Sequence, residues 1–265
     1  MPTAQEQIAN FPLETIPELY ELHAANCRKD SYHPLPEDVP MTFQVGMVGK
    51  DGILLASDKL LTANLAVRSS FISSKIVITK AGQLAYCCAG DDLTILAAQF
   101  FSKVEDKPYL SFKDKLELCA QKAFSVESST RHEREMPLRG GCILIARVSS
   151  SGPAELWRLS VGTPTYACLV ENKDSIGDQT NTARFFVEKY FPQDHLQRPI
   201  RDFLQLAAHA VMMAAATNRT FVGGGLEIVL CTQSGCKKLP YDEISALVEA
   251  SKKIDTDIAA ALFKI

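Results

Sequence analysis

The chain has no apolar run near the roughly 20 residues that would span a membrane. Its opening stretch, MPTAQEQIANFPLETIPELY, has neither a basic head nor an apolar core, so a secretory signal is not expected. No basic run exceeds a pair and the net charge is -3, which argues against a nucleic-acid partner. The five histidines are scattered and form no HExxH motif. Cys87-Cys88 has no second Cys/His pair at zinc spacing, so no metal is expected. Gly223-Gly224-Gly225 lacks the Lys-Ser/Thr of a phosphate loop and reads as a tight turn before a strand; no cofactor is implied. Internal repeats and low-complexity segments are also absent.

What remains is an ordinary globular composition. The 265 residues and 29.1 kDa suit one domain or two small ones, with 46% hydrophobic and 22% charged residues. Most of the eight cysteines (Cys87, Cys88, Cys119, Cys142, Cys168 and Cys231 among them) sit inside apolar patterns. That is the usage of reduced, packed thiols and leads us to expect a cytoplasmic protein. Cys231 and Cys236 flank a turn and could be bridged. The sequon at Asn218 means little without an export signal.

Residues 1–40 are punctuated by Pro12, Pro17, Pro34, Pro36 and Pro40, with one helical stretch around Glu18 to Asn26, and read as an arm or prosegment. Beyond Met41 the pattern becomes dense. Strands are expected over 43–48 and 53–57, with hairpin-turn chemistry in Gly49-Lys50-Asp51-Gly52. A polar stretch precedes strands at 75–79 and 83–88. Helices follow at 92–105 and 111–130, then a hairpin over 141–148 and 154–160 and a strand near 165–170. Helices fit 179–190 and 199–217, Pro199 suiting a helix start and Asp178 a helix N-terminus. A last hairpin covers 225–232 and 236–240. Ile244, Leu247, Val248, Ile254, Ile258 and Leu262 then recur at helical spacing, so one face of a last helix must dock. Two sheets packed face to face with helices outside absorb this order.

Three polar groups stand at the ends of apolar strands: Thr42, Asp58 and Lys75. A threonine hydroxyl is a poor nucleophile until a base takes its proton. Were Thr42 an N-terminus, its α-amine, with a reference pKa of about 7.7–8.0, could be that base. A nearby lysine would stabilise the alkoxide, and an aspartate would hold the lysine charged and oriented. Gly90, at a strand-to-helix turn, could aim its N–H at a developing oxyanion. Composition and spacing alone leave the trio open, because strand-end Thr, Asp and Lys are commonly plain surface residues.

The stretch 42–62, TFQVGMVGKDGILLASDKLLT, resembles the mature N-terminus of proteasome β-type subunits, threonine peptidases of the N-terminal nucleophile (Ntn) hydrolase class; the chain resembles a divergent, bacterial-type member. In that family the nucleophile is the first mature residue and an aspartate follows sixteen positions on, the separation of Thr42 and Asp58. The family's Ser-Lys-Ile matches Ser74-Lys75-Ile76 if one residue is inserted after Asp58. Its cysteine-containing strand and substrate-contacting glycine match Tyr86 to Gly90, and its substrate-pairing threonine matches Thr62. The likeness runs over roughly 42–240 and is specific in 42–90.

The resemblance implies an α+β fold, a four-layer αββα sandwich of two antiparallel sheets flanked by helices. It implies an arm over 1–41, an Ntn-hydrolase domain over 42–240 and a C-terminal helical extension over 241–265. Thr42, Asp58 and Lys75 would be catalytic, Gly90 and Thr62 would hold the oxyanion and substrate backbone, and Leu61, Ser73, Val77 and Cys88 would line the specificity pocket. The implied function is threonine-type endopeptidase in a self-compartmentalising, homo-oligomeric ring or stack of rings. Its partners would be a peptide or unfolded-protein substrate and an ATP-dependent unfoldase. Two departures support the alternative of a catalytically silent structural or gating subunit. Arg219 and Val222 stand where active members carry Asp and Ser, and Met41 stands where self-processing members carry glycine.

Overall fold

The first hairpin turns at Lys50 and Asp51, joining strands β1 (Phe43–Gly49) and β2 (Gly52–Asp58), every residue of which is buried. This computed structural model describes residues 42–63, 69–90, 94–99, 110–133, 140–149, 152–162, 164–177, 182–218 and 222–263. Met41, Asp178, Arg219 and the arm, with its expected helix near Glu18, lie outside the described residues. The two main sheets belong to the larger compact unit of the chain, Asp38–Thr62 with Ser70–Ile265.

Further strands are β3 (Leu60–Ala63), β4 (Ser69–Ile72), β5 (Ile76–Ile78), β6 (Leu84–Gly90), β7 (Gly141–Arg147), β8 (Glu155–Val161), β9 (Tyr166–Val170), β10 (Lys173–Gly177), β11 (Leu226–Thr232) and β12 (Gly235–Lys238). The helices are α1 (Phe112–Glu133), α2 (Thr182–Tyr190), α3 (Leu204–Thr217) and α4 (Tyr241–Phe263), with a further helical stretch over 94–99. One five-stranded sheet has the order β10-β1-β2-β11-β12 and the other β5-β6-β7-β8-β9, both antiparallel; β3 and β4 pair by themselves.

Strand alternation explains how each sheet buries both faces. In β2, Ile53 and Leu55 join Ile76, Cys87, Leu144 and Leu156 of the second sheet in one cluster. Leu54 and Ala56 point the other way, into a cluster with Ala183 and Val187 of α2 and Ala207, Val211 and Ala214 of α3. Leu116, Cys119, Ala120 and Ala123 of α1 cover the second sheet through Ile143, Ile145 and Leu159. A fully buried side chain such as Leu54 contributes about 1.5–3 kcal/mol relative to an exposed one.

Several expectations need correction. The polar stretch after Asp58 contains β3 and β4, and 173–177, read as no element, forms edge strand β10. Residues 199–217 are not one helix: a 3-10 turn, Ile200–Phe203, precedes α3. The apolar face of α4 docks only through Ile244, Leu247 and Val248, while Ile258 and Leu262 are exposed. Cys231 and Cys236 face each other across β11 and β12 as free thiols. Among the described residues no helix is long and apolar enough to cross a membrane.

Candidate active site

Thr42 immediately precedes β1 and Asp58 ends β2, so the antiparallel hairpin returns both to the same end of the first sheet. Lys75 comes from the other sheet, one residue before edge strand β5. The structure brings the three together. The Thr42 hydroxyl donates to Asp58 Oδ1 at 2.7 Å and accepts from Lys75 Nζ at 2.7 Å. Lys75 Nζ also reaches both Asp58 oxygens at 2.9 Å. Thr42, Asp58 and Lys75 are 6%, 0% and 9% exposed, so this ion pair is out of bulk water.

Asp58 is held from several sides. Its Oδ1 accepts the Phe43 N–H at 3.2 Å, and its Oδ2 accepts those of Leu60 and Gly223, both at 3.1 Å. Gly223 in turn accepts the N–H groups of Lys59 and Leu60 at 2.8 Å, so the turn before β11 clamps the end of β2. A carboxylate so bonded is fixed in place, with donors on both of its oxygens. Burial pulls the Lys75 pKa below its ordinary value; Asp58 opposes that shift but does not cancel it. A lysine poised this way can stabilise a developing alkoxide on Thr42.

Close backbone approach shapes the rest. Gly177, at φ +94°, pairs with Phe43, and a Cβ there would collide with the Thr42 carbonyl oxygen. Gly90 ends β6 at φ +147°, where a Cβ would lie 2.6 Å from Gly141 Cα. Only glycine meets both demands. Val77 pairs with Tyr86, and Cys88 lies two residues on, so Val77, Tyr86 and Cys88 share one face of β5 and β6. Val77 is exposed and Ser73 and Cys88 half-buried. Burial pushes the Cys88 thiol up to about 12, so it stays protonated. Leu61 and Thr62 lie in β3, their side chains outside those described; Val222 is buried in the cluster under α3. Among the described residues no group of His, Cys, Asp or Glu could hold a metal ion.

Three contributors escaped the sequence reading: Gly177, Gly223 and Glu227. Gly177 sits in a polar pentapeptide, KDSIG, with no strand pattern, and Gly223 reads as turn glycine. Glu227 had a signal, a carboxylate inside the otherwise apolar strand LEIVLCT. It accepts the Lys75 and Ile76 N–H groups at 3.0 and 3.2 Å.

No family model matches the chain, and no curated protein matches it by sequence. Solved structures match it in fold. Anbu (ancestral beta-subunit) from Yersinia bercovieri superposes with a TM-score of 0.62 at 12% identity, over 84% of this chain and 97% of that one. A Gly-1 mutant of Anbu from Hyphomicrobium sp. strain MC1 gives 0.61 at 10% identity, again over 84% and 97%. The helical assembly of the Anbu complex from Pseudomonas aeruginosa gives 0.64 at 13% identity, with the same coverage. At such identities the likeness is one of fold alone.

Proposed function

We propose that this chain is a threonine-type endopeptidase of the Ntn-hydrolase class, acting as one subunit of a self-compartmentalising assembly. The observation that carries the reading is the buried triangle in which Lys75 Nζ lies 2.7 Å from Thr42 Oγ1 and 2.9 Å from both oxygens of Asp58. In this reading the chain is a four-layer αββα sandwich over 42–240, with 1–41 as a prosegment or arm and 241–265 as a helical extension. Thr42 is exposed as an N-terminus before it acts.

The chemistry then follows from the geometry. The Thr42 Oγ1 bonds to the scissile carbonyl carbon as its proton passes to the α-amine, and Lys75 stabilises the oxygen while it carries charge. The Gly90 N–H faces the oxyanion and Thr62 pairs with the substrate backbone. The C–N bond breaks as the leaving amine takes the proton back. Water then cleaves the Thr42 ester by the reverse proton route. Ser73, Val77, Cys88 and Leu61 line the pocket for the residue before the cleaved bond. The substrates are peptides or unfolded proteins in the cytoplasm, delivered with an ATP-dependent unfoldase to a ring or stacked rings of identical chains. The helical assembly formed by the Anbu neighbour supports an assembling subunit.

The test compares the full chain, its mass verified, with residues 42–265 released from a cleavable ubiquitin fusion. The released form should turn over fluorogenic peptides and react with boronates. The full chain should not, because an amide at Thr42 has no lone pair to accept the hydroxyl proton, and losing a general base costs a factor of about 10²–10⁴. Thr42→Ala should abolish turnover. Equal activity of the two forms, or undiminished turnover in Thr42→Ala, refutes the reading. Assembled particles inactive in both forms would establish the silent subunit, for which the buried Val222 in place of the family's serine is the supporting observation.

A further inference from the structure

Glu227 is 7% exposed and stands on the face of β11 that meets the second sheet, between residues that pack there (Val229 and Cys231) and the start of β5. Its Oε2 accepts the Lys75 and Ile76 N–H groups at 3.0 and 3.2 Å. Its Oε1 accepts from the Ser74 hydroxyl at 2.7 Å and from Lys238 Nζ. Four donors therefore satisfy one buried carboxylate. Burial would raise its pKa, but Lys238, Ser74 and the Ile76 N–H outweigh burial and lower it, so the group is ionised at neutral pH.

Two features separate this from sheet-to-sheet adhesion. Strand β5 is a three-residue edge strand, and an edge strand presents N–H groups with no neighbouring strand. Glu227 takes up the Ile76 N–H at the start of this strand and that of Lys75 just before it, the residue that carries the site's cation. The backbone of Glu227 is also paired with Ser57, and Leu226 with Asp58. Strand β11 thus holds Asp58 through the ladder at Leu226 and Lys75 through the side chain of the next residue, Glu227.

We propose that Glu227 is a positioning residue for the proposed peptidase, holding the backbone of Lys75 from β11 so that its ammonium meets both Thr42 and Asp58. The inference rests on the reading of Thr42, Asp58 and Lys75 given above, and it concerns reach rather than charge. Glu227→Gln keeps the side-chain length and one oxygen for the two N–H groups, while half-exposed Lys238 turns to solvent. Glu227→Asp keeps the charge and is one methylene too short.

The experiment measures both variants and the parent as residues 42–265 released from ubiquitin and, in parallel, as full chains. Turnover is read as separate kcat and KM over a pH series. The Lys75 titration is read by NMR of protein carrying 13Cε-labelled lysine, with Lys75→Arg to assign the signal. Among the described residues the other titratable groups acting on Lys75 are Asp58 on β2 and Cys87 on β6; the released form adds the Thr42 α-amine, and none of the three is altered. In Glu227→Asp we expect kcat to fall on the order of 10²-fold, the usual effect of a misplacement of about 1 Å. KM should hold, and the Lys75 pKa should move up toward 10.5 as the ammonium gains water. Glu227→Gln should stay close to the parent in all three. A Lys75 titration unmoved in Glu227→Asp overturns the proposal, even with a lower melting temperature, since lost adhesion alone would produce that. If the parent turns over nothing, the peptidase reading fails, and the Lys75 titration still decides whether Glu227 positions it.

Discussion

Replacing Asp58 by Asn probes the centre of the site with almost no change in shape. The carboxylate accepts six contacts: two from Lys75, one from the Thr42 hydroxyl, and one each from the Phe43, Leu60 and Gly223 N–H groups. An amide keeps one oxygen, so about half of these lose their acceptor, at roughly 1 kcal/mol each or more where the donor is charged. Lys75 is then left buried without a counter-charge, and breaking one side of a buried pair typically costs about 3–5 kcal/mol. Both routes give a loss of about 3–5 kcal/mol at pH 7, read by urea denaturation of the full chain. The pH dependence has a definite sign. The folded Lys75 pKa is already below its reference of 10.5, so the unfolded chain binds more protons in that window and stability rises with pH. Without Asp58, which raises it, the folded pKa drops further and the rising window extends to lower pH, with a slope of at most about 1.4 kcal/mol per pH unit for one proton. An Asp58→Asn chain within 1 kcal/mol of the parent at pH 7, with an unchanged pH profile, would refute the argument.

Gly177→Ala sets a Cβ against the Thr42 carbonyl at φ +94°, so it should lose at least the roughly 1–3 kcal/mol of a strained residue, together with boronate labelling of Thr42. A parental melting temperature and labelling rate would show that Thr42 does not depend on that approach. Cleavage should favour medium-sized apolar residues before the scissile bond, since Ser73, Val77 and Cys88 carry no charge. Discrimination should be shallow, about 1–3 kcal/mol per methylene, and a peptide-library profile dominated by charged residues there would contradict the pocket assignment.

The hairpin β1–β2 was legible because its turn residues and apolar runs agree locally, and most other strands and helices fell within a few residues of their expected ranges. Elements whose strand character comes from a neighbour were not legible. Strand β10, sequence KDSIG, has little hydrophobicity and pairs because β1 presents a partner edge. The C-terminal half of α4 shows the converse, since Ile258 and Leu262 fit the helical period yet meet no core. Thr42, Asp58 and Lys75 were singled out as polar residues at strand ends, and their register came from the family resemblance; no periodicity links a residue to one in another sheet. Glu227 was missed for the same reason, as Ser74, Lys75 and Ile76, which it holds, lie 151 to 153 residues away in the chain.

That separation carries a consequence for the order in which the site comes into being. Thr42 and Asp58 are 16 residues apart and close within one local hairpin. The carboxylate that grips the Lys75 backbone is synthesised 152 residues later. At about 5–20 residues per second that interval is roughly 8–30 s, during which the emerging chain holds the hydroxyl and the aspartate but not the seat for its cation. On the proposed role of Glu227, the three groups come together only once β11 has docked.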